Sequence, residues 1–93
     1  MIKSFSDKTT ERLFVRHIVK ELPSDILKTA YRILLMINAA GNINDLRIPP
    51  GNRLEKLAGN YTNLYSIRIN DKWRIIFQWF ENDAYEVKII DYH

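Results

Sequence analysis

Residues 65–77 read YSIRINDKWRIIF, two runs of alternating apolar and polar residues around the polar triplet Asn70-Asp71-Lys72. Alternation with a period of two is typical of half-buried β-strands, so this stretch predicts a β-hairpin with the triplet as its loop. A two-residue loop would scatter the apolar side chains over both faces of the sheet, and the pattern therefore favours a three-residue loop. With that loop one face collects the apolar side chains Tyr65, Ile67, Ile69, Trp73, Ile75, Phe77 and Trp79.

The same register places Arg68 directly opposite Arg74 on the other face of the hairpin. Like charges at this cross-strand distance oppose folding by up to about 1 kcal/mol. A planar guanidinium donates two parallel hydrogen bonds to phosphate oxygens, so an arginine pair on a rigid sheet is suited to hold a phosphate. The alternative is that each arginine pairs with a nearby carboxylate such as Glu55, Glu86 or Asp91.

Two helices are predicted ahead of the hairpin. Ser6-Asp7 offers N-cap side chains for a first helix that runs to about Lys20, with His17 half-buried on its apolar stripe. Pro23-Ser24 opens a second helix, and Gly41 suits its C-terminal cap. The apolar stripes comprise Leu13, Phe14 and Ile18 in the first helix, and Ile26, Leu27, Ala30, Ile33, Leu34 and Ile37 in the second.

The remaining segments predict an antiparallel meander. Ile2–Phe5 is a short strand that joins the sheet beside a later one, and residues 42–51 form a loop or a single helical turn, since Pro49-Pro50-Gly51 opposes regular structure. The four main strands are expected at Arg53–Leu57, Leu64–Ile69, Trp73–Trp79 and Tyr85–Tyr92, with turns at Gly59-Asn60 and Glu81-Asn82-Asp83. The fold class is therefore α+β, a helical hairpin packed on one antiparallel β-sheet.

Length and composition restrict the class of protein. The 93 residues, 46% of them hydrophobic and 27% charged, predict one globular domain over residues 1–93. No apolar run is long enough for a membrane span and the first residues lack a signal-peptide core, so we expect a cytoplasmic protein without a membrane partner. The absence of cysteine excludes a disulfide framework, a thiolate nucleophile and cysteine-ligated zinc. With only two histidines, neither a metal site nor a cofactor is expected.

Positive charge is concentrated in the middle of the chain. The net charge is +3, but residues 47–74 contain six cations and two acids, whereas residues 75–93 contain one cation and four acids. The basic segment is a candidate phosphate-binding surface, in which Arg53, Lys56 and Lys72 accompany the arginine pair. An ordinary solvated face remains the alternative.

Several motifs in order match one family. LRIPPGNRLE at residues 46–55, YSIRINDKWRI at residues 65–75 and DYH at residues 91–93, with MIKSF at the start, closely resemble the HigB-type toxins. These are plasmid-maintenance killer proteins of the RelE/ParE superfamily, and the resemblance covers nearly the whole chain. It implies a microbial-ribonuclease-like α+β fold. It also implies the toxin of a type II toxin-antitoxin pair, which enters the ribosomal A site and cuts translated mRNA.

The resemblance also implies partners and site residues. The partners are an antitoxin of the HigA helix-turn-helix type, mRNA and the ribosome, and the free toxin is expected to be monomeric. Carried over by position, catalysis falls on Arg68, Arg74, Tyr92 and His93, while Asp91 joins the residues that bind RNA. Many relatives carry a lysine where this chain has Ala58 before Gly59, and Lys56 is the candidate replacement.

Cleavage of RNA without a metal uses the 2′-hydroxyl as nucleophile and needs a base, an acid and stabilisation of negative charge. The imidazole of His93 has the reference pKa best matched to proton transfer near neutrality. Tyr92 suits either proton transfer or stacking on a base. In strand geometry these two side chains point to opposite faces, so a bend or two separate roles is required.

Two other functions stay open on the sequence. One is a non-enzymatic inhibitor of gyrase, as in the ParE branch of the superfamily. The other is a basic interaction domain that only binds an acidic antitoxin. The terminal Tyr92-His93 pair favours the nuclease, because a gyrase inhibitor has no need of it.

Overall fold

A computed structural model describes residues 1–17, 19–57 and 63–91 of the chain. The described part contains two helices packed on one face of a four-stranded antiparallel sheet of order β1-β2-β3-β4. This architecture confirms the predicted α+β fold. The elements are α1 (Lys8–Phe14), α2 (Ser24–Ala39), two 3₁₀ turns (Ile43–Arg47 and Pro50–Asn52), β1 (Glu55–Lys56), β2 (Leu64–Arg68), β3 (Trp73–Phe80) and β4 (Asp83–Asp91).

The central hairpin has the predicted register. Its loop is held by Asn70, whose Oδ1 accepts hydrogen bonds from the backbone N–H groups of Lys72 and Trp73, both at 2.8 Å. An asparagine that hydrogen-bonds the backbone two residues ahead is a common turn-forming device. The paired residues include Tyr65 with Phe77, Ile67 with Ile75, and Arg68 with Arg74.

The hydrophobic core lies between the helices and the predicted apolar face of the sheet. The helix α2 contributes Ile26, Ala30, Ile33, Leu34 and Ile37, and the sheet contributes Ile67, Ile75, Phe77, Trp79, Val87 and Ile89. Trp73 and Tyr65 pack against this core but are only partly buried. The helical period in α2 and the two-residue period in the strands therefore identify the two apolar surfaces that pack against each other.

The N-terminal segment and α1 cover the outer edge of β4. Residues 1–5 form parallel bridges to Ala84 and Val87, which confirms that the initial segment joins the sheet beside a later strand. The hydroxyl of Thr10 accepts a hydrogen bond from the backbone N–H of Ile89 at 3.0 Å. These contacts satisfy backbone groups that an open edge would offer to another chain.

The prediction for the end of α1 was wrong. The helix stops at Phe14, because Arg16 adopts a left-handed conformation with φ of 67°. The backbone N–H of His17 bonds the carbonyl of Arg12 at 2.9 Å, and that of Arg16 bonds the carbonyl of Leu13 at 3.0 Å. This pair of bonds is a Schellman motif, which ends a helix. His17 is consequently exposed and outside the helix, and Ile18 of the predicted stripe lies outside the described residues.

Two further local predictions need correction. The cap of α2 is Ala40 in an extended conformation, and the N–H of Gly41 donates instead to the Asp45 carboxylate at 3.0 Å. The proline-rich segment forms a 3₁₀ turn over Pro50–Asn52, since proline is tolerated in the first turn of a helix, where its missing N–H has no partner to lose.

Most of the strand boundaries are close to the predicted ones. Strand β1 is reduced to Glu55–Lys56, because Arg53, with φ of 47°, leaves the extended region. Strand β4 begins earlier, at Asp83, since the turn needs only Glu81-Asn82, both with positive φ as in a type I′ hairpin. The predicted turn at Gly59-Asn60 lies outside the described residues.

Candidate nucleic-acid interface

Arg68 and Arg74 lie side by side on the face of the sheet away from the helices. Their Cα atoms are direct cross-strand partners, and both residues are half-buried. Arg74 Nη1 donates to the backbone carbonyl of Asn70 at 2.9 Å, and Arg68 Nη2 donates to Asp71 Oδ1. Both guanidinium groups are thus held close to the 70–72 loop.

Asp71 lies at the centre of the positive charge. The hydrogen bond from Arg68, reinforced by the positive charge of the same guanidinium, holds the pKa of this carboxyl below its usual value. The charges of Arg53 and Arg74 lower the pKa of Asp71 further. Arg53 therefore acts electrostatically on Asp71, and its role in RNA binding stays a prediction. The carboxylate that bonds Arg68 comes from the hairpin loop itself and was not among those we considered from the sequence.

Lys88 is a cation of this face that the sequence reasoning missed. Its Cα is paired with that of Ile76, and Arg74 is paired with Ile90, two residues further along β4. Lys88 and Arg74 are therefore diagonal neighbours on the same side of the sheet. Lys88 lies between Val87 and Ile89, which are both buried, so the alternation of β4 by itself places Lys88 on the outer face.

Lys56 and Asp91 do not share the face of the arginine pair. The Cα of Lys56 is paired with that of Tyr65, and the Cα of Asp91 with that of Trp73, so both residues fall on the opposite side of the pleat. Lys72 extends from the loop toward Asp91, with 3.8 Å between Nζ and Oδ2. The cross-strand pairing therefore places Arg68 and Arg74 on one side of the pleat and Lys56 and Asp91 on the other.

The proposed acid and base are not placed by this structure. Tyr92 and His93 lie outside the described residues, and so does Ala58, the position at which many relatives carry a lysine. The structure therefore describes the arginine and lysine side chains of the predicted site, and not the residues predicted to transfer protons.

A second basic feature occurs in the helical layer. A cavity of about 280 Å³ lies where the end of α1 meets α2, and the guanidinium of Arg16 is 4.9 Å from the centre of the Tyr31 ring. The lining residues are Leu13, Arg16, His17, Leu27, Lys28 and Tyr31.

Two further searches concern metals and membranes. Within residues 1–17, 19–57 and 63–91, no three histidine or carboxylate side chains come together as a metal site would require. None of the helices in these ranges has both the length and the apolar character needed to cross a bilayer.

Comparison with known proteins gives a consistent result. Residues 3–93 match a family described as the RelE-like toxin of the type II toxin-antitoxin system HigB. The chain is 42% identical over 87 residues to Toxin HigB-1 of Vibrio cholerae, covering 90% of each protein. It is 32% identical to Endoribonuclease HigB of Proteus vulgaris over the full length of both.

A solved structure supports the fold. The chain superposes on a chain of the YoeB-YefM complex from Staphylococcus aureus with a TM-score of 0.58, covering 100% of this chain and 98% of the other. At 19% sequence identity, the match establishes a shared fold and says nothing further about chemistry.

Proposed function

We propose that this chain, which belongs to the HigB family of RelE-like toxins of type II toxin-antitoxin systems, is an endoribonuclease that cuts translated mRNA in the ribosomal A site. The observation that carries the proposal is the cross-strand pairing of Arg68 and Arg74 on the outer face of the sheet, where Arg68 already holds a carboxylate. The name of the Proteus vulgaris relative, Endoribonuclease HigB, supports the reaction class.

In this proposal the arginines bind the scissile phosphate. Guanidinium groups stay protonated at every physiological pH, so they serve as donors and counter-charges and not as bases. The charge that develops on the phosphate oxygens in the transition state is stabilised by donors already held in place by β2 and β3. Lys88 on the same face adds a further positive charge near Arg74.

Proton transfer is assigned to the two residues that follow Asp91. The 2′-oxygen attacks the phosphorus while the bond to the 5′-oxygen breaks, which leaves a 2′,3′-cyclic phosphate and a 5′-hydroxyl. His93 gives a proton to the departing 5′-oxygen, and Tyr92 assists removal of the 2′-proton; the Tyr92 ring is also suited to stack on a nucleobase. Strand β4 ends at Asp91, which is paired with Trp73 beside the hairpin loop, and we propose that the two residues after it reach the arginine pair.

The partner assignment follows from the family. A type II toxin is neutralised by a protein antitoxin, and we propose one of the HigA helix-turn-helix type that presents acidic groups to this basic chain. Binding of an antitoxin does not separate the nuclease from a gyrase inhibitor or a pure interaction domain, because all three would bind one. Cleavage of mRNA does separate them.

The test is single-turnover cleavage of mRNA on programmed ribosomes, with the 5′ ends mapped. His93→Ala is expected to cleave about 10²- to 10⁴-fold more slowly, the usual contribution of a general acid, with little loss of ribosome binding. Arg74→Ala should abolish growth inhibition and change the free energy of unfolding by no more than about 1 kcal/mol, since relief of like-charge repulsion offsets the loss of the hydrogen bond to the Asn70 carbonyl.

Lys28→Ala is the matched control, because it removes one exposed positive charge from the helical layer and should leave cleavage unchanged. Wild-type rates for both His93→Ala and Arg74→Ala would contradict the proposed site. Inhibition of gyrase without any new mRNA 5′ ends would contradict the nuclease function and support the gyrase inhibitor.

A further inference from the structure

We propose that Asp71 is a built-in competitor of RNA. In the free protein its carboxylate occupies the place at Arg68 that a phosphate oxygen takes when RNA binds, so RNA must displace it. This inference rests on the proposed function, in which Arg68 and Arg74 hold a phosphate.

The exposure of the two partners indicates which of them moves. The side chain of Arg68 is 28% exposed and projects from a paired strand, whereas that of Asp71 is 97% exposed at the tip of the loop. The structural bonds of the loop come from Asn70, which accepts from the N–H groups of Lys72 and Trp73. The Asp71 carboxylate can therefore leave Arg68 without loss of the hairpin turn.

The chemistry of the two anions makes them competitors. A carboxylate and a phosphate each present oxygens that accept the same guanidinium N–H groups. Arg68 donates directly to this carboxylate, and Arg74 is the cross-strand partner of Arg68, so both positive charges act on an anion at that point. An RNA phosphate at the same point would meet the same two charges.

The contact between Asp71 and Arg68 also stabilises the free protein. Arg68 and Arg74 are direct cross-strand partners, and such a pair destabilises a hairpin. A carboxylate beside them offsets the repulsion until RNA arrives. We therefore expect the Asp71 carboxylate to raise the stability of the free toxin and to lower its affinity for RNA.

The experiment measures binding separately from cleavage. The probe is a short single-stranded RNA made uncleavable by 2′-deoxy substitution, and its affinity is measured by fluorescence anisotropy at several salt concentrations. Asp71→Asn should bind about 2- to 5-fold more tightly at low salt, the factor that corresponds to an exposed ion pair. The gain should vanish near 1 M salt, where charges are screened within about 3 Å.

A double-variant comparison tests the assignment to Arg68. Arg68→Ala alone should weaken binding, and Asp71→Asn added to Arg68→Ala should give no gain, because the competed donor is gone. Glu81→Gln is the matched control: it removes one negative charge from the β3–β4 turn, about 26 Å away along the eight residues of β3. It should leave affinity unchanged.

Each remaining outcome overturns the inference in a recognisable way. Weaker or unchanged binding by Asp71→Asn, with Arg68→Ala still impaired, would mean that the carboxylate orients Arg68 and does not compete with RNA. Unchanged binding by Arg68→Ala would remove the phosphate from this site and would count against the proposed function as well. An equal gain in Glu81→Gln would reduce the effect to net charge.

Discussion

At the scale of single residues, the site is built on an unfavourable contact. Arg68 and Arg74 are forced together by the register of the hairpin, and Asp71 at the loop partly neutralises them. Of the acids that the sequence offered as partners, Glu86 accepts a hydrogen bond from Ser6, Asp91 lies near Lys72, and Glu55 is paired with Ser66 on the same side of the pleat as Arg68. The carboxylate that bonds Arg68 is that of Asp71, from the hairpin loop.

The lowered pKa of Asp71 predicts a pH-dependent contribution to stability. A carboxyl group whose pKa is lower in the folded than in the unfolded state stabilises the fold above its ordinary pKa of 3.8. That contribution is lost as the pH falls through the lower folded-state value. Urea unfolding of wild type and Asp71→Asn should therefore show wild type more stable at neutral pH and the two converging in acid. A difference that persists unchanged in acid would contradict this linkage.

At the scale of elements, the aromatic residues of the hairpin differ in how deeply they are buried. The sequence placed Trp73 and Phe77 on the same apolar face, and the structure agrees but leaves Trp73 half-exposed at the end of the sheet. Phe77 is fully buried at the centre of the core. Two residues on the same face of the sheet can therefore differ in the exposed fraction of their side chains.

We expect Phe77→Ala to lower the free energy of unfolding by about 3–5 kcal/mol, because it opens a cavity in a closed core. Trp73→Ala should cost clearly less, since part of its ring already lies in water. Urea denaturation followed by circular dichroism measures both values. Phe80→Ala, an exposed aromatic on the same strand, is the control and should be nearly neutral. A larger loss for Trp73 than for Phe77 would mean that the depth of the two residues is misassigned.

At the scale of the whole molecule, the N-terminal segment closes the sheet. Lys3 N–H bonds the Ala84 carbonyl at 2.7 Å, and Ser6 N–H bonds the Val87 carbonyl at 3.0 Å. Ile2 and Phe5 pack against the core at the same time. The segment therefore stabilises the fold and covers the edge of β4.

Deletion of residues 2–5 should lower the free energy of unfolding by about 1.5–3 kcal/mol, the value for burial of one apolar side chain, because it removes two partly buried ones, Ile2 and Phe5, together with their backbone bonds to β4. It should also produce concentration-dependent oligomers, because the exposed edge of β4 can then pair with another chain. Size-exclusion chromatography and thermal unfolding measure the two effects. Lys3→Ala keeps the backbone bonds and should behave as wild type. A stable, monomeric deletion variant would show that α1 alone suffices to cover the edge.

The local pattern of the sequence determined the hairpin, the helix faces and the fold class. Alternation around Asn70-Asp71-Lys72 allowed only one register that buries the apolar side chains together, and this register paired Arg68 with Arg74. The helical period did the same for α2, whose predicted stripe forms its side of the core. The hydrophobic period of a short stretch indicates which of its side chains are buried, so both can be predicted from residues that are neighbours in the sequence.

Tertiary structure decided what depends on residues far apart in sequence or on backbone conformations that patterns do not encode. The end of α1 follows from a left-handed Arg16, a conformation for which the sequence shows no glycine. The assignment of Lys56 and Asp91 to the other side of the pleat from Arg68 and Arg74 depends on cross-strand partners. The Arg68–Asp71 contact is local to the hairpin, whereas the effect of Arg53 on the pKa of Asp71 requires a segment distant in sequence to come near the loop, because electrostatic reach is a distance in space.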